Sequence, residues 1–395
     1  MKKPILSLLC TLFVSIGFSQ KRPYRIATLA FYNVENLFDT IPSVDYIDGT
    51  RRRGDPLFHR SIPASSALAR RTPFLKKSYS FKNLAGIKVL RQTMDLDFTP
   101  SGRYRYTAAR YAQKIDHISQ TLAAIGRDLA HTAPVLIGLA EVENKNVLND
   151  LIQAEALKPY HYGKIHFNSF DPRGIDVALL YRKTRFVPAF TKSYTLYLFD
   201  EKKNRKYTRD ILLVGGELDG ESIYLLVNHW PSRYGGEARS RPFRMKAAAL
   251  IKDRIIPDIQ LLDSNPKIVI MGDFNDDPTD PSIVKGLGAL GKKRAAIQND
   301  KLYNPMEAMY QRGLGTIAWR DSWNLFDQMI VTPELLGRDY STYRFYKAAV
   351  YNKKYLITPA AAFKGYPYRT YVRGRYQGGY SDHFPVYLYL IEQVK

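Results

Sequence analysis

A chain of 395 residues with 45% hydrophobic content carries ample material for a packed core, which excludes disorder throughout. The formal net charge of +22 directs attention to polyanionic partners: nucleic acid, anionic lipid headgroups or acidic polysaccharide. The single cysteine, Cys10, lies in a segment expected to be removed, which excludes thiolate catalysis and cysteine-ligated zinc or iron–sulfur sites.

At the amino terminus Lys2 and Lys3 precede a mainly apolar run, Pro4 to Phe18, and Gly17 and Ser19 supply the small residues that signal peptidase selects. The run is shorter than the roughly 20 apolar residues that span a bilayer. Residues 1–19 are therefore read as a Sec-type signal peptide cleaved after Ser19, with a periplasmic or extracellular mature protein. Ser7-Leu-Leu9 lacks the small residue expected just before a lipidated cysteine. Residues 20–395 are read as one domain, since no Pro/Gly linker has ordered sequence on both sides and no repeat is evident.

Arg25 to Tyr32 alternates as a strand and ends at Asn33-Val-Glu35. An insertion follows, about 44–94, punctuated by proline and read as having little regular structure. Within it, Thr50 to Gln92 holds eleven Lys or Arg against one acid, Asp55. Such a run is either a polyanion-binding surface or simply a solvated one. Tyr111, Ile115, Ile118, Leu122, Ile125 and Leu129 then recur at alternating spacings of four and three, predicting one amphipathic helix between Thr107 and Ala130.

Pro134 to Ala140 reads as a buried strand delivering Glu141, with a helix over Asn146–Leu157 behind it. Further strands are expected at Asp176–Tyr181, Ile211–Glu217, Ser222–Val227, Lys267–Met271, Leu325–Val331 and Phe384–Leu390. A helix is expected at about Pro242–Ile256, with Pro242 in its first turn. Strands mixed with a few helices predict an α/β (α+β) fold: a four-layered sandwich of two packed mixed β-sheets flanked by helices.

Polar groups collect beside these strands: Asn33 and Glu35, Glu141, His229, Asp273 and Asn275, and Asp382 with His383. Oxygen donors outnumber imidazoles, a set suited to Mg²⁺, with Mn²⁺ or Ca²⁺ as alternatives, rather than zinc. Such groups suit attack of water on a phosphorus ester. Taken singly each signal is weak, because an Asp or Asn after a strand is commonly a turn residue, His229 is equally explained as packed by Trp230, and Glu143 competes with Glu141.

Asn33-Val-Glu35, Leu139-Ala-Glu-Val-Glu-Asn144, Asp171 to Tyr181, Asn228-His-Trp-Pro-Ser-Arg233, Gly272-Asp-Phe-Asn-Asp276 and Ser381-Asp-His-Phe-Pro385 occur in an order that resembles the endonuclease/exonuclease/phosphatase family, from about Arg25 to Leu390. The resemblance implies the same four-layered sandwich and divalent-metal-dependent phosphoester hydrolysis. By resemblance Glu141 is the principal metal-binding residue, with Asn33, Glu35 and Asp382 on the metal side. Asp273 would activate water, Asn275 contact phosphate, His383 act as base or phosphate stabiliser and Asp327 orient it. His229 matches an additional histidine of the deoxyribonuclease and sphingomyelinase branches, Arg173 a phosphate contact and Asp176 a supporting acid. The basic insertion is a departure from the family pattern.

The leading reading is a secreted endonuclease or phosphodiesterase acting on nucleic acid, monomeric and with no stable protein partner implied. A phosphatase or sphingomyelinase-like phospholipase is the second, although the insertion is basic rather than apolar and so does not favour a membrane surface. A non-catalytic polyanion-binding protein on the same fold is the third.

Overall fold

The computed structural model describes residues 23–41 and 94–394, so the expected signal peptide, Cys10 and the basic insertion lie outside the described residues. Seventeen strands appear among them. In chain order they are β1 (Tyr24–Leu37), β2 (Leu136–Val142), β3 (Tyr162–His166), β4 (Asp176–Arg182), β5 (Phe186–Tyr194), β6 (Leu198–Phe199), β7 (Arg205–Lys206), β8 (Ile211–Leu218) and β9 (Glu221–His229). These are followed by β10 (Ile268–Asp273), β11 (Ile317–Trp319), β12 (Ser322–Asn324), β13 (Asp327–Val331), β14 (Arg344–Val350), β15 (Tyr371–Val372), β16 (Arg375–Tyr376) and β17 (Val386–Gln393).

Eleven of them form two mixed sheets, ordered β14-β17-β1-β2-β4-β3 and β13-β10-β9-β8-β5. Each has one parallel pair, β1 with β2 and β9 with β10, and antiparallel neighbours elsewhere. The apolar run in β10 follows from burial on both faces: Val269 and Met271 join the core between the sheets, whereas Ile268 and Ile270 join the core beneath the outer helices. Gly138 of β2 sets the closeness of the sheets. A Cβ there would come within 2.6 Å of the Met271 sulfur.

Helices cover the outer faces, giving the expected four layers. The first sheet is covered by α1 (Ala108–Ala124), α2 (Arg127–Ala130) and α3 (Lys145–Gln153), through residues such as Ile118, Leu122 and Leu148. The second is covered by α4 (Glu237–Leu250) and the turns after it, through Ala247, Ile251 and Ile255. Among the described residues no helix is long and apolar enough to cross a membrane.

Several expected elements are redrawn. The single helix to Ala130 is broken, because Gly126 adopts φ 73° and packs against Thr28, where a Cβ would lie 2.5 Å from the threonine methyl. Pro242 lies inside α4 rather than in its first turn. The amide it lacks would have bonded the Ala238 carbonyl, and Ala238 is exposed, so water can satisfy that carbonyl. β1 continues past Tyr32 to Leu37 through an irregular pairing with β2 between Asn33 and Leu37. Strands β3, β5 and β14 have no counterpart in the sequence reading.

Candidate active site

Strand direction gathers the site at one end of the sandwich. The carboxyl ends of β1, β2, β9 and β10 point there, and their antiparallel neighbours β4, β8, β13 and β17 begin there. Asn33, Glu35, Glu141, His229 and Asp273 therefore meet Asp327, Asp382 and His383.

Asn33 joins the two sheets. Its Nδ2 donates to Asp273 Oδ2 at 3.0 Å, its Oδ1 accepts from the Glu35 amide at 3.1 Å, and its carbonyl accepts from Ser381 Oγ at 2.6 Å. Asp273 Oδ1 also accepts from the Asn275 amide at 2.9 Å. His229 Nε2 lies 3.5 Å and His383 Nε2 3.9 Å from Asp273 Oδ2, so the carboxylate sits between two imidazoles. His383 Nδ1 is 2.7 Å from Asp327 Oδ2.

The two histidines are held in opposite states. Burial, reinforced by Arg209 and Arg173, pushes His229 well below the usual imidazole range and keeps it neutral. Burial opposes charge on His383 too, but Asp327, Asp382 and Asp273 outweigh it and hold the ring protonated, well above that range. Burial raises the Asp273 carboxyl, and the charge on His383 offsets part of that rise. Environments that separate like groups in this way mark acid–base work.

On the first-sheet side, Glu141 Oε2 accepts from the Asn36 amide at 2.9 Å and its Oε1 lies 3.4 Å from Arg173. Glu35 Oε2 accepts from the Thr370 amide at 2.7 Å, with Lys114 Nζ 3.8 Å away. Asp382 Oδ2 accepts from Arg369 at 2.6 Å. Burial and then repulsion from Asp382 push the Glu35 carboxyl up to about 7. Lys114 and Arg369 each act electrostatically on Glu35, Glu141 and Asp382, whose hard oxygen donors are of the chemical type a divalent magnesium-class ion prefers. Donor atoms of Asp273, Asp327 and His383 also lie within 4.8 Å of one another. There the His383–Asp327 bond engages Asp327 Oδ2 and the Asn33–Asp273 bond engages Asp273 Oδ2, while buried Asp327 Oδ1 has no hydrogen-bond partner.

Backbone strain concentrates here as well. Glu35 and Asn36 (each φ 50°), Glu141 (φ 65°) and Asn275 (φ 51°) are all left-handed without being glycine. Each costs on the order of 1–3 kcal/mol and persists where the surroundings enforce it. The carboxylate–amide bonds at Asn36, Thr370 and Asn275 do so.

Two sequence-derived residues stand apart from these groups. Asp176 holds His166 Nε2 at 2.9 Å and the Ser169 amide at 2.8 Å, and so braces the 167–175 loop rather than lining the carboxylate cluster. The side-chain nitrogen of Asn275 donates to the Trp230 carbonyl at 3.0 Å and is already engaged. Other positioning groups escaped the sequence reading. Buried Arg209 donates to the His229 carbonyl at 3.2 Å, the Trp230 carbonyl at 2.5 Å and Asp171 Oδ2 at 2.8 Å. Asp171 in turn lies 3.5 Å from the Arg173 guanidinium. Lys114 donates to Thr370 Oγ1 at 2.6 Å and to the Tyr380 carbonyl. Its place beside Ile115 on the apolar side of α1 was the one signal available.

Comparison with known proteins follows the same lines. A model described as the endonuclease/exonuclease/phosphatase family matches residues 77–392. Similar solved structures include a Bacteroides thetaiotaomicron protein of that family, 15% identical with a TM-score of 0.49, over 94% of this chain and 100% of that one. They also include D. rerio TDP2 complexed with single strand DNA product, at 14% and 0.45 over 70% and 92% of the two chains. A mannosyl-6-phosphatase from B. thetaiotaomicron is 15% identical at 0.45, over 92% and 99%. A search of curated proteins gives no match. With a family match running over most of its length and two packed mixed sheets flanked by helices, the chain belongs to the endonuclease/exonuclease/phosphatase family of phosphoester hydrolases.

Proposed function

We propose that the protein is an exported, magnesium-dependent phosphodiesterase acting on nucleic acid. The observation that carries this reading is Asp273 held between neutral His229 and protonated His383, beside the Glu35, Glu141 and Asp382 carboxylates. A divalent ion held by those three carboxylates would neutralise phosphoryl and leaving oxygens. Asp273, fixed by Asn33 and the Asn275 amide, orients a water and accepts its proton. His383, kept charged by Asp327, donates to a phosphoryl oxygen as negative charge accumulates. His229 stands on the other side of Asp273 as a neutral donor toward the leaving oxygen. Arg173 supplies a positive charge next to Glu141. The net charge of +22 and the signal peptide expected from the amino-terminal sequence support an anionic polymer met outside the cytoplasm.

The test is hydrolysis by the mature protein, with Mg²⁺ or with chelator, of single- and double-stranded DNA, RNA, bis(p-nitrophenyl) phosphate and p-nitrophenyl phosphate. Metal-dependent cleavage of the diesters, lost in Asp273→Asn and His383→Ala, is expected. Turnover confined to the monoester, or undiminished in both variants, overturns the reading.

A further inference from the structure

The stretch from Tyr340 to Ser381 contains no Asp or Glu, yet holds eight Lys or Arg and ten Tyr. Thr99 to Ile115 is likewise free of acids and contributes Arg103, Arg105 and Arg110. The fold brings both stretches together at the rim of the site. The Arg110 guanidinium lies 4.5 Å over the Tyr376 ring, and Tyr371 Oη donates to the Tyr104 carbonyl at 3.1 Å.

Two small hairpins rise from this rim, and each is rooted on a site acid through a threonine. The β15–β16 hairpin starts at Thr370, whose amide binds Glu35, and carries exposed Arg373 and Arg375 at its turn. The β11–β12 hairpin starts beside Thr316, whose hydroxyl accepts from the Asp327 amide at 3.2 Å, and carries Trp319 at 63% exposure. Arg373 and Trp319 each lie three positions beyond their threonine, so each of these Cα atoms lies within roughly 11 Å of its threonine Cα by chain length alone. The β11–β12 hairpin is tied to the loop that leads into β15: Tyr366 Oη accepts from the Asp321 amide at 2.7 Å and its ring packs edge-on at 5.9 Å to Trp323, which stacks 6.0 Å from Phe384 beside His383.

We infer that these two hairpins form one wall that binds an unpaired nucleic-acid strand, with phosphates on Arg373 and Arg375 and a base stacked on Trp319. The inference rests on the phosphodiesterase reading and adds the form of the polymer. Guanidinium groups alone would accept any polyanion. Trp319, 63% exposed with the Arg320 guanidinium 5.6 Å from its ring, gains its contact from a base whose face is open, and in a duplex those faces are hidden. Acidic polysaccharide offers no aromatic face.

The test is fluorescence anisotropy with chelator present, so that nothing is cut, using the mature protein and three probes: a labelled 12-nucleotide single strand, its duplex and a heparin oligosaccharide. The strand is expected to bind about tenfold or more tightly than either other probe. Arg373→Ala/Arg375→Ala should weaken strand binding about tenfold and reduce its log–log salt slope by about 1.4, given roughly 0.7 per phosphate contact on single strands. Trp319→Ala should weaken strand binding by a similar factor and leave the salt slope unchanged. Both variants should keep the parent's melting temperature and its turnover of bis(p-nitrophenyl) phosphate in Mg²⁺. Duplex or heparin binding as tight as the strand, or variants that bind the strand like the parent, overturns the inference. Failure of the phosphodiesterase reading shows separately, as absent turnover of the small diester by the parent protein.

Discussion

His383 Nδ1 donates to Asp327 Oδ2 across 2.7 Å, and both side chains are nearly closed to solvent. The bond fixes which ring nitrogen faces Asp273 and sustains the charge on the ring. Asp327→Asn should lower kcat/KM on a phosphodiester about 10–100-fold, as losing an orienting partner commonly does. The mechanism is checked by NMR titration. The His383 pKa should fall toward the ordinary value of about 6.5, and an unmoved pKa would refute the link.

Asp273→Asn separates function from stability. Burial holds the Asp273 carboxyl high, so its ionised form is disfavoured by the fold, and an amide removes that penalty. Turnover should fall by about a thousandfold or more, while the melting temperature at pH 8 stays level or rises. A drop of several degrees would show that the carboxylate holds the site together rather than acting in it.

Arg209 is buried and ends on two carbonyls and Asp171. Arg209→Met leaves the Asp171 carboxylate only its Arg173 contacts and should cost about 3–5 kcal/mol, read as a shift in the urea midpoint. Adding Asp171→Asn should recover part of that loss, since the under-compensated charge disappears with it. No recovery in the double variant would mean the two side chains do not act as a pair.

Asp210 gives a pH signature away from the chemistry. Burial pushes its carboxyl from 3.8 up to about 7, although Ser193 donates to it at 2.7 Å and Thr195 at 3.2 Å. An acid raised in the fold favours folding when protonated. That contribution is complete below about pH 4 and is lost as pH rises through about 7, at up to about 1.4 kcal/mol per unit. Asp210→Asn should therefore melt above the parent at pH 8, by a gap that closes progressively toward pH 4. A gap independent of pH would refute the assignment.

The sandwich was legible because apolar runs such as Ile268 to Met271 are what a strand buried on both faces requires. Asp273, Glu141 and His229 were legible because they end parallel strands of the central pairs. Arg209, and the role of Asp176, were not, because β8 and β4 run the other way and bring their first residues to the site. Sequence shows where a strand ends but not which way its neighbour runs. Lys114 and Arg369 were hidden for a related reason: a helix and a loop deliver them from 79 and 334 residues beyond Glu35, a distance with no local pattern. Trp319 was obscured by its shortness of context, three residues of strand around one indole.

The order of the first sheet ties the site to its last strand. β17 is last in sequence but lies between β14 and β1, and His383 precedes it by three residues. The slot beside β1 is filled by β17, and its insertion brings His383 to Asp327 and Ser381 to Asn33. A cut between Ser381 and β17 would therefore separate the charged imidazole from the acids that sustain it, leaving Asp327 and Asp273 without their counter-charge.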